Sequence, residues 1–161
     1  MSGRHISSIQ LLMPKLILSV LIFLLACTSP CFGQANNKSR EADILESVFR
    51  YQIAHCYRYR SPETYFLSYA NQDPSDELMA RFASSGTRVM ERSQFRHFKN
   101  PDTGKWSIIL SVSYIDFQSA GRADVRGACT AASLDAYDYL YRVSLRNGRW
   151  VVVHRKLIGV S

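Results

Sequence analysis

Residues 139–156 read YLYRVSLRNGRWVVVHRK, and this stretch decides the fold class. Tyr139, Tyr141, Val143 and Leu145 alternate with their neighbours up to Asn147-Gly148, a dipeptide typical of a two-residue hairpin turn, and Trp150–Ile158 is the predicted return strand. With Asn147 and Gly148 in the loop, Arg146 lies opposite Arg149. On the face that packs against the helices we then expect the pairs Leu145–Trp150, Val143–Val152, Tyr141–His154 and Tyr139–Lys156.

Further strands are predicted before this hairpin. Residues 106–114 alternate in polarity after a turn at 100–104, and residues 123–130 follow a second turn at 118–122. Residues 64–70 are rich in β-branched and aromatic side chains. Together with the hairpin, these segments predict a sheet of four to five antiparallel strands.

Two helices are predicted ahead of the sheet. The first has Ser39 as its N-cap and ends near His55 or Tyr57, and its apolar stripe comprises Ile44, Leu45, Val48, Phe49 and Ile53. The second begins at Asp73-Pro74 and stops near Gly86. This order predicts one α+β domain over residues 41–161, with helices packed on a curved antiparallel sheet. Cystatin-like and NTF2-like cones share that order.

The first residues have the pattern of an export signal. Arg4 and Lys15 precede the apolar run Leu16–Ala26, and no acid occurs before Glu41. At eleven residues the run is shorter than the about 20 that a membrane-spanning helix needs. Met13 is an alternative start, and translation from either Met1 or Met13 predicts an exported protein. We therefore expect a signal peptide over residues 1–34, a linker over 35–40, and a periplasmic or secreted protein.

Two processing sites compete within this leader. Leu24-Leu25-Ala26-Cys27 resembles a bacterial lipobox, which would make Cys27 the lipidated first residue of a membrane-anchored lipoprotein. Small residues in Phe32-Gly33-Gln34-Ala35 suit ordinary signal peptidase instead. We expect the second cut.

Cys56 and Cys129 lie inside the predicted domain. An exported protein meets an oxidising environment, in which paired cysteines form disulfides. We expect a Cys56–Cys129 disulfide; two buried thiols are the alternative.

The charge is moderately basic. Loss of the leader removes Arg4 and Lys15, leaving 18 basic and 13 acidic residues. The bases are scattered among acids, and the densest cluster, Arg58 and Arg60, is interleaved with tyrosines. This pattern is typical of a solvated surface and argues against nucleic-acid binding.

Motifs for catalysis and metal binding are missing. The sequence has no G-x-S-x-G, no H-E-x-x-H and no paired C-x-x-C, so it predicts no catalytic residues, no metal and no cofactor. If the strand faces line one cavity, Asp116, Tyr114, Tyr141 and His154 would place an acid, a base and hydroxyls at the mouth of an apolar pocket. The alternative is an acid at a strand end and a satisfied Tyr–His pair.

Three segments resemble small exported bacterial proteins of unknown function. They are YFLS at 65–68, DPSDEL at 73–78 followed by Arg81-Phe82, and NGRWVV at 147–152. The resemblance spans most of Glu41–Ser161 and implies a shared fold without catalytic residues. We expect a non-enzymatic module that binds an envelope protein or a small ligand, and that contacts membrane only through lipid on Cys27. The alternative is an NTF2-like pocket protein or enzyme using acid/base chemistry.

Overall fold

The structure is a computed structural model that describes residues 31–57 and 60–161, with side chains described from residue 37. The alternative starts, lipidation at Cys27 and most of the expected signal peptide lie outside the described residues. The chain divides into two compact units, Met1–Lys38 and Ser39–Ser161. The second unit is called the domain below.

The described elements comprise two helices and six strands. They are α1 (Cys31–His55), β1 (Thr64–Tyr69), α2 (Asp76–Ala80), β2 (Val89–Glu91), a 3-10 turn (Arg92–Gln94), β3 (Ser107–Ser119), β4 (Arg122–Ala132), β5 (Asp135–Arg146) and β6 (Arg149–Val160).

The strands form one mixed sheet in the order β2-β1-β3-β4-β5-β6. β1 is parallel to both β2 and β3, whereas β3 to β6 form an antiparallel meander. The α+β class is confirmed, but the sheet has six strands and is not wholly antiparallel. The additional strand β2 spans three residues, too few to show an alternating pattern.

Both helix starts differ from the prediction. α1 begins at Cys31, so Ser39 is not its N-cap and residues 35–40 are helical. Residues 31–55 contain no proline, and adding residues to a helix that has already nucleated costs little free energy. α2 is capped by Ser75, whose Oγ accepts from the Leu78 amide at 3.3 Å. It ends at Ala80, well before Gly86.

Asp73 does not cap α2 because its carboxylate is engaged elsewhere. Its Oδ1 accepts a hydrogen bond from the Ser93 amide at 2.9 Å, in the 3-10 turn. Hydrogen bonding to Ser93 lowers the pKa of Asp73. The residue therefore ties the start of α2 to the segment after β2.

The core lies between the helices and one face of the sheet, called the helix face. Its fully buried members include Ile44, Val48, Phe49, Leu67, Leu78, Ile108, Leu110, Val125, Tyr141 and Val143. Arg81 holds α2 to α1 through Asp43 at 2.6 Å and Glu46 at 3.2 Å. These hydrogen bonds, chiefly that to Asp43, raise the pKa of Arg81. The opposite surface of the sheet is called the outer face.

The hairpin confirms the predicted register near its turn. Asn147 and Gly148 have φ of 51° and 75°, the left-handed conformation that such a turn requires. The pairs Arg146–Arg149, Leu145–Trp150 and Val143–Val152 form as expected.

Beyond Val152 the predicted register is wrong, because Val153 is an extra residue in a β-bulge. Arg142 lies opposite His154, and Tyr141 lies opposite Arg155. Tyr139 lies opposite Leu157, so neither the Tyr141–His154 pair nor the Tyr139–Lys156 pair exists. Because side chains alternate between faces, one extra residue exchanges the faces of those that follow.

A second bulge lies in β3 at Ser113. Val112 is opposite Gly127 and Tyr114 is opposite Arg126, which leaves Ser113 without a partner in the register. Ile115 therefore packs on the core, where unbroken alternation predicts Tyr114. A Cβ on Gly127 would lie 2.5 Å from the Ser111 carbonyl oxygen, so the close approach of β3 and β4 beside this bulge requires glycine.

Candidate functional site

The four predicted pocket residues do not come together. Tyr141 is buried on the helix face. Tyr114 and Asp116 are exposed after the β3 bulge has moved them to the outer face, and His154 is exposed on the outer face of β6. β3 and β6 are separated by two strands, about 14 Å across the sheet. The two bulges thus separate side chains that simple alternation places together.

Tyr141 occupies the core beside Gln52. Both side chains are fully buried, and the Gln52 side chain lies close enough to the Tyr141 phenol to lower its pKa, against the larger effect of burial. Neither the Tyr141 hydroxyl nor the Gln52 Oε1 makes a hydrogen bond of standard geometry within the described part of the chain. The Gln52 amide nitrogen makes long contacts of 3.4 Å to the carbonyls of Ser111 and Ala128. Burial raises the pKa of Tyr141, so its phenol stays neutral in the folded domain.

The helix face does hold an open cavity, at the C-terminal end of α1. We call it the aromatic cleft; its volume is about 360 Å³. It is lined by His55, Cys56, Tyr57, Cys129, Tyr137, Tyr139 and Arg155. Its size lies at the lower end of the range of about 300–1,000 Å³ that is usual for small-molecule sites.

The Cys56–Cys129 disulfide forms the floor of the aromatic cleft, and this prediction is confirmed. The two Cα atoms are 6.3 Å apart, and both cysteines are buried. The bond links the residue after α1 to the middle of β4. It therefore fixes the end of the helix against the sheet at the point where the cleft opens.

Tyr57 lines one side of the aromatic cleft and is held in place by Asp135. The Tyr57 hydroxyl donates to the backbone oxygen and to Oδ1 of Asp135, at 2.6 and 2.8 Å. Arg60 forms an ion pair with the other carboxylate oxygen and stacks 4.3 Å from the Trp106 ring. These contacts hold the segment after α1 against the start of β5.

Tyrosine rings line the sheet side of the aromatic cleft. Tyr137 and Tyr139 are two apart on β5 and share the helix face, with ring centroids 6.4 Å apart. Tyr57 meets Tyr137 edge to face at 5.6 Å. Burial raises the pKa of Tyr139. The hydroxyls of Tyr137 and Tyr139 have no hydrogen-bond partner among residues 31–57 and 60–161, so they are free to contact a ligand.

Arg155 supplies the positive charge of the aromatic cleft. Because of the bulge at Val153 it lies opposite Tyr141 on the helix face. Its guanidinium carbon is 4.8 Å from the Tyr139 ring centroid and 5.8 Å from that of Tyr51. No carboxylate or other side-chain acceptor within the described ranges pairs with it. Strict alternation along β6 would place His154 opposite Tyr141. The bulge at Val153 places Arg155 there instead.

His55 completes the rim. Its ring stacks on Tyr51 with centroids 4.0 Å apart, and its Nδ1 lies 2.8 Å from the Tyr51 carbonyl oxygen. A carbonyl only accepts hydrogen bonds, so Nδ1 is the donor. In the neutral ring Nε2 is then a free acceptor.

A second groove lies near the hairpin turn, with a volume of about 430 Å³. Its charges are largely satisfied within the protein, since Arg50 bonds to Glu46 at 2.8 Å and Asp43 bonds to Arg81. Arg149 also lines this groove and has no ion-pair partner in the described ranges. The aromatic cleft differs because its unpaired cation is stacked on tyrosine rings that form the wall of the site.

Two further features bear on function. The described residues contain no group of three or more metal-ligating side chains. No helix in the described ranges is long and apolar enough to cross a membrane.

Comparisons with family models, curated proteins and solved structures found no match to this chain.

Proposed function

We propose that this protein is an exported, non-enzymatic binding domain whose aromatic cleft takes a small planar organic anion, such as an aromatic carboxylate. The observation that carries the proposal is Arg155. It is stacked on tyrosine rings and has no acidic partner in the described part of the chain. A ligand carboxylate would complete the charge-assisted pairing that the guanidinium geometry favours.

The rest of the aromatic cleft suits the body of such a ligand. Tyr137 and Tyr139 offer flat apolar faces with hydroxyls at their edges. Aromatic rings prefer offset-stacked or edge-to-face partners, so a planar ligand can pack against these rings. The disulfide and the Tyr57–Asp135 bonds hold the walls in place without the ligand. Pre-ordered walls reduce the entropy that binding would otherwise cost.

Export is supported by the leader pattern together with the disulfide, because such bonds persist mainly in oxidising compartments. The intact mass of the protein from its host tests this part of the proposal. A chain that starts near Gln34 or Asn36 supports a secreted or periplasmic protein. A diacylglyceryl group on Cys27 supports an anchored one, and an uncleaved chain contradicts export.

The binding proposal is tested with 2-naphthoate and its neutral analogue 2-naphthamide, followed by calorimetry or ligand fluorescence. We expect the carboxylate to bind and Arg155→Gln to weaken it about tenfold or more, the scale of one lost charged hydrogen bond. The amide should bind weakly and respond little to that variant.

Arg122→Gln is the matched control, since it removes an exposed arginine from β4 on the outer face. It should leave 2-naphthoate binding unchanged. Equal binding of the acid and the amide, or equal loss in both variants, would overturn the cleft as an anion site.

A further inference from the structure

The free edge of the sheet at β6 is a second surface without a partner in the described structure. β6 ends the strand order and pairs only with β5 among the described strands. It is twelve residues long, and Val153–Ile158 are all exposed. A long exposed edge presents a row of unpaired backbone N–H and C=O groups, which another extended chain can pair with.

The side chains along this edge combine apolar surface with positive charge. Val153, Leu157, Ile158 and Val160 are 37%, 48%, 43% and 64% exposed. The strand also carries Arg149, His154, Arg155 and Lys156 and contains no acid. Arg149 and Lys156 have no ion-pair partner in the described ranges, although neighbouring bases on the outer face do, as in Arg142–Asp124 and Arg126–Asp138.

We infer that β6 binds an extended acidic segment of another protein by strand addition. A second bulge in β6, at Ile158, leaves Leu157 and Val160 on the same face. The partner strand would alternate carboxylates, facing Lys156 and Arg149 on the outer face, with apolar side chains facing Leu157 and Val160 on the helix face. Three of the four basic side chains of β6 lie on the outer face, and Arg155 alone lies on the helix face. An added strand, whose side chains alternate between faces, can therefore direct its acids to the more charged side and its apolar residues to the other.

Charge complementarity favours such a partner over a second copy of this chain. β6 contains no acid, so two copies would gain no opposite-charge pair in any register, and antiparallel pairing centred on Arg155 would set Arg155 opposite Arg155 and Lys156 opposite His154. Like charges directly opposite each other destabilise a strand pair. This inference does not depend on ligand binding in the aromatic cleft.

The test uses the full chain with its disulfide intact and a fluorescein-labelled peptide of about eight residues that alternates glutamate and valine, a length suited to one strand. Fluorescence anisotropy should show saturable binding, and hydrogen exchange should slow at β6 amides. The same peptide with N-methyl groups at alternate positions keeps its charges but cannot pair, so it should not bind. A lysine-valine peptide should also fail.

Lys156→Glu should weaken binding about fivefold or more, because a favourable contact becomes a repulsive one. Arg88→Glu is the control, since it makes the same charge change beside β2, about 24 Å away at the opposite edge. It should change binding less than about twofold. Because Lys156 lies on the outer face, 2-naphthoate binding in the cleft should be unchanged in Lys156→Glu.

Three outcomes would overturn the inference. The N-methylated peptide could bind as well as the original peptide, or the two variants could have equal effects. Alternatively, the disulfide-bonded protein could form a dimer in the absence of peptide, with slowed hydrogen exchange at the β6 amides. The first two would reduce the surface to general charge attraction. The third would assign the edge to a second copy.

Discussion

Two arginines at opposite ends of the helix face have similar aromatic neighbours and different partners. Arg40 lies 4.1 Å from the Phe117 ring centroid and 5.5 Å from that of Trp150, and it donates to the Ser119 carbonyl at 2.7 Å. Arg155 stacks on Tyr139 and Tyr51 without any such acceptor among the described residues. The protein supplies the Arg40 guanidinium with a backbone acceptor, although its Nε is buried without a partner in the described part of the chain, and leaves the Arg155 guanidinium without an acceptor.

The residues around these two arginines also differ, being buried and apolar near Arg40 and aromatic around an open cleft near Arg155. Beyond Arg40, α1 covers the sheet with Ile44, Val48 and Phe49, all fully buried. Towards Arg155 the lining changes to tyrosines around an open cleft. We call these the closed end and the open end. The closed end should carry the stability of the domain and the open end its binding, and the following predictions test that division.

The largest effect is expected from Phe49→Ala at the closed end. Removing a fully buried phenylalanine should lower the free energy of unfolding by about 3–5 kcal/mol, whereas Tyr139→Ala at the open end should cost about 1–2 kcal/mol because its ring already borders a cavity. Urea unfolding of both variants measures the difference. Equal losses would break the division between the two ends.

The disulfide should have the next largest effect. Replacing Cys56 and Cys129 by alanine opens a loop with a sequence separation of 73 residues, for which we expect a loss of about 2–4 kcal/mol. Because the bond fixes the end of α1, 2-naphthoate binding should weaken as well. Unfolding with and without reductant, together with ligand titration, checks both effects. Loss of stability with unchanged binding would show that the cleft does not need this bond.

The two arginines give a direct test of the comparison. Arg40→Gln removes a hydrogen bond and aromatic contacts at the closed end, so it should lower stability by about 1–2 kcal/mol. Arg155→Gln should change stability by less than about 0.5 kcal/mol, as exposed substitutions usually do. Thermal and urea unfolding measure both variants. A larger stability loss at Arg155 would assign that residue a structural role.

The smallest effect at neutral pH is expected from Tyr141→Phe, which removes a buried hydroxyl that lies beside Gln52 without a hydrogen bond of standard geometry to any described residue. The free energy of unfolding should stay within about 1 kcal/mol of the original. Folding raises the pKa of Tyr141. Its neutral phenol therefore contributes fully to the free energy of unfolding below about pH 10, the pKa of tyrosine in the unfolded chain, and this contribution is lost as the pH rises above that value.

Above pH 10 the original protein should therefore lose stability faster than Tyr141→Phe, by up to about 1.4 kcal/mol per pH unit. Urea unfolding of both proteins between pH 8 and about 11 gives this difference. Parallel pH curves would show that Tyr141 ionises as readily when folded as when unfolded.

Local sequence signals predicted much of the fold. Asn147-Gly148 predicted the hairpin and its first three pairs, because that turn has few conformational alternatives. The strand at 64–70 and the apolar stripe of α1 follow from short-range alternation and helical spacing. β2 was missed because three residues carry no period, and its parallel pairing with β1 depends on contacts distant in sequence.

The candidate site could not be predicted in the same way. The bulges at Ser113 and Val153 arise where twisted strands accommodate packing on the core, and no residue type marks them in the sequence. They move Tyr114, Asp116 and His154 away from the helix face and bring Arg155 onto it. The prediction placed Tyr139 and Tyr141 correctly on that face, but it missed Tyr137 and assigned the neighbouring positive charge to His154, one residue before Arg155.

The bulge at Val153 also affects tolerance of changes in chain length. Since Val153 has no partner in the register, deleting it would leave Val143 opposite Val152 and Tyr141 opposite Arg155. An insertion or deletion within a strand normally transfers every later side chain to the wrong surface. β6 can lose this one residue and still present the same lining to the cleft, so chains that differ in length here can retain the same chemistry.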